Sequence, residues 1–191
     1  MSDPFELLAR WIDDAGGADS VEAIAMCLAT ADEAARPSAR IVLMRSLDRN
    51  GLRFYTSYGS RKAQEVAHNP FAAAVFYWPK LQRQVRIEGR VTPLSDDESD
   101  AYFDSRPRGH RLAAWASEQS APLESHEILE ERFAHFEERF DGEEVPRPHS
   151  WGGYLLVPAR FEFWTGRPNR MHERVAYTRD GQAWQTTLLQ P

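Results

Sequence analysis

Two runs and the turn between them decide the fold: Ala39-Arg40-Ile41-Val42-Leu43-Met44-Arg45-Ser46-Leu47, then Asp48-Arg49-Asn50-Gly51, then Leu52-Arg53-Phe54-Tyr55-Thr56-Ser57-Tyr58. Both runs are rich in β-branched, aromatic and aliphatic residues, and Asn-Gly supplies the backbone freedom a tight hairpin needs. The stretch predicts two antiparallel strands. Ser60 then reads as the cap of a helix through Ala67, stopped by Asn69-Pro70. Upstream, Val21 to Thr30 reads as a further extended run. Before it, Asp3-Pro4 opens a short amphipathic helix with apolar positions 5, 8, 11 and 12 on one face. Downstream, Phe71 to Trp78 and Gln84 to Leu94 read as strands, Glu88 and Arg90 alternating with apolar neighbours.

From Ser95 the period becomes helical: Ser95 to Ser105, Arg111 to Glu118, then an acidic helix with Ile128, Leu129, Phe133, Phe136 and Phe140 three to four apart. After Pro146-Arg147-Pro148 strands return at Tyr154–Leu156, Phe161–Trp164, Val175–Thr178 and Ala183–Leu188, with Arg179-Asp180-Gly181 as a second hairpin turn. No repeat or linker interrupts the chain, so residues 1–191 read as one domain. Sequential strands with helices grouped between them predict an antiparallel, barrel-like sheet of the α+β class.

Composition narrows the partners. With 42% hydrophobic and 27% charged residues, and only 11 Gly and 12 Pro in 191, the chain is neither disordered nor fibrous. The net charge of -6 is local: Ser125 to Glu144 holds eight acids against Arg132 and Arg139, and the remainder is balanced. No basic excess points to nucleic acid. The lone Cys27 lies in an apolar run and reads as a buried, inert thiol. Residues 1–20 lack a leader pattern and no apolar run is long enough to span a bilayer, which predicts a soluble, cytoplasmic protein with no membrane partner.

The six histidines show no metal-ligand spacing, and neither a Gly-x-Ser-x-Gly elbow nor a Gly-rich phosphate loop is present. Gly59-Ser60-Arg61-Lys62 is the local anomaly. It places two cations in the first turn of a helix, where free N–H groups favour negative charge. A phosphate held there by backbone donors, Ser60, Arg61, Lys62 and Arg40 would explain it. So would two solvated side chains tolerating about 0.3–1 kcal/mol. Both readings stay open from the residues alone. Two further clusters, Tyr102-Arg106-Arg108-His110-Arg111 and the polar loop from Trp164 to Arg174, are candidate anion sites or solvated surface.

Seven segments in order resemble the pyridoxine (pyridoxamine) 5′-phosphate oxidases: RIVLMR at Arg40, FYTSYGSRKA at Phe54, RQV at Arg83, YFDSRPR at Tyr102, WASEQS at Trp115, WGG at Trp151 and EFWTGRPNRMHER at Glu162. The resemblance runs nearly end to end. It implies a split β-barrel of six to eight antiparallel strands with flanking helices, and FMN bound where two chains of a homodimer meet. FMN contacts would be Arg40, Ile41, Val42, Leu43, Arg45, Tyr55, Thr56, Arg61, Lys62, Gln84, Gln119, Ser120, Trp164 and Arg174. A substrate phosphate would meet Arg45, Tyr102, Arg106 and His110, and the reacting ring Arg170 and His172. The implied reaction is FMN-dependent oxidation of a phosphorylated vitamin B6 compound to pyridoxal 5′-phosphate, with dioxygen as acceptor and hydrogen peroxide as product.

The chain departs from the family pattern in places. Arg45 stands for the usual Lys, His110 for Ser and Met171 for Leu, and the basic lid segment before the first helix reads as missing or truncated. The ending Leu188-Leu189-Gln190-Pro191 resembles instead the flavin oxidases of phenazine biosynthesis. A phenazine-type oxidase, or a binder of FMN or pyridoxal phosphate without turnover, is therefore the alternative.

Overall fold

The computed structural model describes residues 3–17 and 20–191. Helix α1 (Pro4–Asp14) begins where the Asp3 carboxylate accepts from the Phe5 N–H at 2.8 Å, with Pro4 in a position whose N–H would lack a partner anyway. Its apolar stripe buries Phe5, Leu8 and Ile12. Trp11, on the same face, meets Phe163 edge-on with ring centroids 5.1 Å apart.

A one-turn helix, α2 (Val21–Ile24), precedes β1 (Ala25–Ala31), which corrects the extended reading of the run from Val21. The Ser20 hydroxyl accepts from the Ala23 N–H at 3.4 Å, and this local cap outweighs the β-preference of a few residues. Within β1 the period of two sends Met26, Leu28 and Thr30 inward. Cys27 faces out and is half-buried, so the expected buried thiol is not what the chain forms. β2 (Pro37–Leu43) pairs with β1, and β3 (Ser46–Asp48) forms the expected hairpin with β4 (Gly51–Ser57). The single run expected from Ala39 to Leu47 is thus two strands. The chain changes partners in between, the Met44 N–H bonding to the Ile24 carbonyl at 3.0 Å and the Arg45 N–H to the Arg53 carbonyl at 2.8 Å.

Helix α3 (Arg61–His68) leads to β5 (Phe71–Trp78) and β6 (Arg83–Pro93). Three helices follow: α4 (Asp96–Asp104), opened by a reciprocal Ser95–Glu98 capping box, α5 (Arg108–Ala116) and α6 (His126–Arg139). The chain ends in β7 (Trp151–Thr165), β8 (Glu173–Asp180) and β9 (Ala183–Leu189). The nine-stranded antiparallel sheet runs β2-β1-β5-β6-β7-β4-β3, with β8 on β7 and β9 on β8. This is the expected split barrel with flanking helices, extended by the three-residue β3. Its interior is filled by Leu8, Leu28, Phe54, Phe76, Ile87 and Phe161 among others, while Leu112, Phe140 and Val145 form a smaller cluster around α5 and the end of α6. No described helix is long and apolar enough to cross a membrane.

β7 organises the barrel. One edge lies along β6 from Tyr154 to Thr165, while the other lies on β4 from Trp151 to Leu156 and on β8 from Arg160 to Thr165. At the handover Glu88 faces Arg160 and Gly89 faces Pro158, so Ala159 is an extra residue in a bulge. The segments Tyr154–Leu156 and Phe161–Trp164, expected as separate strands, are therefore one strand of 15 residues. Pro158 has no ladder N–H, and a bulge is where a strand tolerates that. A Cβ on Gly89 would lie 2.1 Å from the Val157 carbonyl oxygen, which is backbone and has little room to move. Gly89→Ala is expected to destabilise the fold by about 2–3 kcal/mol. A thermal midpoint equal to wild type would show that the bulge relaxes freely.

Candidate functional site

The barrel wall, three helices and the loop beyond α5 enclose a cavity of about 490 Å³, a size typical of small-molecule sites. Arg40, Ile41, Val42 and Leu43 reach it from β2, Arg45 from the crossing, Tyr55 and Thr56 from β4, and Lys62 from α3. Tyr102 and Arg106 come from α4 and the turn after it, and Gln119 from beyond α5. All were singled out from the sequence. Ser57, Ala113, Ala114, Ser117 and Trp151 also line it. The alanines gave no chemical signal, and Trp151 entered the sequence reading only within the WGG segment of the resemblance, with no role. Four cations line the cavity, and among the described residues no Asp or Glu does.

One end is built around the start of α3. The Lys62 ammonium is buried and donates to the Thr56 hydroxyl at 3.0 Å and to Gln119 Oε1 at 2.9 Å. Burial, and then the charge of Arg40, push Lys62 down from 10.5 to about 8. Ser60 stands at the N-cap position, yet its side chain does not cap the helix, as the sequence had suggested; its hydroxyl lies 3.4 Å from that of Thr56. Ser120, in the loop beyond α5 with φ of 75°, accepts the Arg61 N–H at 3.2 Å instead.

The charge anomaly of this helix start is partly answered within the chain. Glu65, one turn along α3, pairs with Arg61 at 2.8 Å and with Arg40 at 3.1 Å, and also accepts from the Thr30 and Ser38 hydroxyls. Burial pushes this carboxyl up, but the hydrogen bonds from Ser38, Thr30, Arg61 and Arg40 outweigh it and hold it at about 2. One carboxylate stands against Arg40, Arg61 and Lys62, so a surplus of positive charge remains. Glu65 was missed from the sequence, although its i,i+4 spacing from Arg61 is a readable signal.

At the other end aromatic rings replace polar partners. Tyr55 and Tyr102 stack with centroids 3.8 Å apart, and Trp151 lies nearly parallel to both at 5.6 and 6.2 Å. The Arg106 guanidinium sits 4.5 Å above the Trp151 ring, and its Nη1 is buried with no hydrogen-bond partner. Burial lowers the Arg106 pKa, the Tyr102 hydroxyl opposes this, and the nearby Arg45 charge adds to it. Two guanidiniums share this space, and among the described residues no carboxylate lines it.

The other residues expected at the site do not line the cavity. His110 is exposed on α5. Gln84 faces Trp164 across the β6–β7 ladder, and Trp164 faces Arg174 across β7–β8. The His172 ring lies 4.7 Å from that of Trp164, and its Nδ1 accepts the Arg167 N–H at 3.2 Å, leaving Nε2 to carry the proton of the neutral ring. Arg174 grips the buried Glu162 at 2.9 and 2.8 Å. Exposed Arg170 and its neighbour Asn169 take left-handed backbone angles, with φ of 60° and 56°. Trp151 and Trp164 terminate the two halves of β7, roughly 40 Å of strand apart at about 3.3 Å per residue. Within one chain the second group does not reach the first.

The donor set fits FMN. The α3 end offers buried, like-charged donors to a phosphate, and Ile41, Val42 and Leu43 give a planar ring system an apolar wall. Comparison with known proteins agrees. Residues 20–140 match the family model described as pyridoxamine 5′-phosphate oxidase, and residues 151–191 the one described as the pyridoxine 5′-phosphate oxidase C-terminal dimerisation region. The chain is 52% identical over 189 residues to the pyridoxine/pyridoxamine 5′-phosphate oxidase of Rubrobacter xylanophilus, covering 99% of this chain and 87% of that one. It is 53% identical to the Burkholderia thailandensis protein of the same name, covering 98% and 89%. The solved structure of PhzG from Burkholderia lata, in complex with tetrahydrophenazine-1-carboxylic acid, superposes with a TM-score of 0.93 at 36% identity, covering 100% of this chain and 94% of that one. A pyridoxamine 5′-phosphate oxidase-related, FMN binding protein from Nostoc punctiforme shares the fold, with a TM-score of 0.77 at 20% identity. With both halves matched and relatives above half identity along nearly the whole length, the chain belongs to the pyridoxine/pyridoxamine 5′-phosphate oxidase family of FMN-binding split barrels.

Proposed function

We propose that this protein is an FMN-dependent oxidase, working as a homodimer, that converts pyridoxamine or pyridoxine 5′-phosphate to pyridoxal 5′-phosphate. The observation that carries this reading is the unpartnered, buried Nη1 of Arg106 in a cavity that no carboxylate lines among the described residues, a donor arrangement that calls for an anion on the substrate. FMN, when bound, supplies the two-electron chemistry, accepting electrons from the substrate and giving them to dioxygen to form hydrogen peroxide.

Arg40, Arg61, Lys62, Thr56, Gln119 and Ser120 hold the flavin phosphate end, and Ile41, Val42, Leu43 and Tyr55 the ring. Arg45, Tyr102 and Arg106 hold the substrate phosphate; the resemblance adds His110, which is exposed on α5 and does not line the cavity. Gln84, Trp164, Arg170, His172 and Arg174 of one copy complete the cavity of the other, which their distance from the cavity within one chain supports. His172, with Nδ1 occupied by the Arg167 N–H, presents Nε2–H to the reacting end of the substrate, and Arg170 orients it.

A second reading is favoured by the likeness to PhzG: a phenazine-type oxidase, whose carboxylated substrate also presents an anion to Arg106. The intact Tyr102–Arg106 segment and the 52% and 53% identical relatives favour the B6 reading. Purified protein supplied with pyridoxamine 5′-phosphate or with a reduced phenazine carboxylic acid, and assayed for peroxide, separates the two. Turnover of the phenazine compound alone overturns the B6 reading. Bound flavin that neither compound bleaches without oxygen leaves a binder rather than an enzyme.

Lys62 makes the cofactor site pH-sensitive. Its ammonium in the flavin-free protein is lost near pH 8, whereas an anion beside it favours the charged form, so FMN affinity is expected to fall as pH rises above about 8. In Lys62→Met the affinity is weaker and this pH dependence is absent. Titration of the flavin-free protein by flavin fluorescence measures both, and a wild-type affinity flat to pH 9.5 contradicts the assignment.

A further inference from the structure

We propose that Trp151 is the positioning residue behind the preference for a phosphorylated over an unphosphorylated substrate: its ring holds the Arg106 guanidinium at the cavity wall without occupying the donors that would meet the anion. This rests on the reading of Arg106 as the substrate-phosphate contact.

A long arginine side chain is usually fixed by a carboxylate, which satisfies its donors but also competes with an incoming anion. Arg106 is fixed differently. Its guanidinium lies 4.5 Å from the Trp151 ring and 5.5 Å from that of Phe103, and among the described residues no acid lines the cavity. Aromatic faces hold the cation and leave its hydrogen-bond donors unspent.

Trp151 is itself held from several sides. It is 7% exposed, meets Phe103 edge-on at 5.1 Å and lies parallel to Tyr55 and Tyr102. Its carbonyl accepts from Arg147 Nη1 at 2.7 Å. Arg147 also pairs with Asp96 at 2.6 Å and Asp100 at 2.5 Å, both on the helix that carries Tyr102. The start of β7 and α4 are thereby joined, and the plane on which Arg106 rests is set by both.

The test uses flavin-loaded wild type, Trp151→Phe, Trp151→Leu and Arg106→Ala. It reads the ratio of kcat/KM for pyridoxamine 5′-phosphate to that for pyridoxamine. The ratio is expected to fall about threefold in the Phe variant and about ten- to thirtyfold in the Leu variant, through KM for the phosphorylated compound. A merely structural role would lower both values together and leave the ratio unchanged, which overturns the inference. If the Leu variant does not fold, the Phe variant decides, and a wild-type ratio there overturns it. A ratio that collapses in Arg106→Ala yet survives in both Trp151 variants overturns the inference alone. A wild type without preference, or an Arg106→Ala ratio equal to wild type, overturns the reading of Arg106 and this inference with it.

Discussion

Arg106→Met is expected to lower kcat/KM for the phosphorylated substrate about a hundredfold or more, through KM, while leaving the folded protein as stable as wild type or more so. The two halves have one cause. A charge-assisted hydrogen bond is worth about 1.5–3 kcal/mol, and a guanidinium meeting a phosphate makes one or two of them. Without an anion, the same guanidinium is held against Trp151 with Nη1 buried and unpartnered and the Arg45 charge nearby. Methionine keeps much of the length and the contact with the rings but has nothing to leave unsatisfied. Steady-state kinetics and a thermal melt of the same preparation check both halves. An unaltered KM would move the substrate anion elsewhere, and a melting point several degrees lower would make Arg106 a structural ion.

Glu65→Leu carries the second large effect, an expected loss of about 2–3 kcal/mol of stability at pH 7 together with weakened flavin retention. The carboxylate is 5% exposed and holds Arg40, which is 21% exposed, as well as Arg61. Removing it strands Arg40 beside Lys62. The Arg61 share is discounted because that side chain is 62% exposed and water screens it. The pH dependence follows from the depressed value. With Glu65 held at about 2, against 4.5 for the free side chain, its contribution is full above about pH 4.5 and is lost as pH falls toward 2. Denaturant unfolding of wild type and variant at pH 7 and pH 3 is expected to show the gap narrowing on acidification. A gap that is equal or wider at pH 3 would mean that the ion pairs are not its source.

Much of the fold was legible because its signals are local. The Asp48–Gly51 hairpin, the Ser95 start of α4 and the two-residue alternation of β5 and β6 need no distant partner to be read. What escaped depends on contacts far away in sequence. Apart from Pro158, nothing near Ala159 announces a bulge, which sits where β7 changes neighbours from β4 to β8. The Arg40–Glu65 pair joins residues 25 apart, so the first turn of α3 looked more bare of negative charge than it is. In the cavity, residues with a chemical signature such as Lys62 and Arg106 were found, whereas Trp151 and the small residues of α5 lack one.

The extra residue of β7 lets one strand serve two neighbours without reversing its faces. Leu156 and Pro158 before the bulge and Phe161 and Phe163 after it all point into the barrel, opposite Val91, Gly89, Ile87 and Val85 of β6, so excising Ala159 would leave an unbroken in-and-out alternation with these pairings intact. What a one-codon deletion there would remove is the local bend and added twist, so its cost is expected in the angle at which β7 passes from β4 to β8 and in where the Trp164–His172 surface stands, while Trp151 at the far end keeps its place.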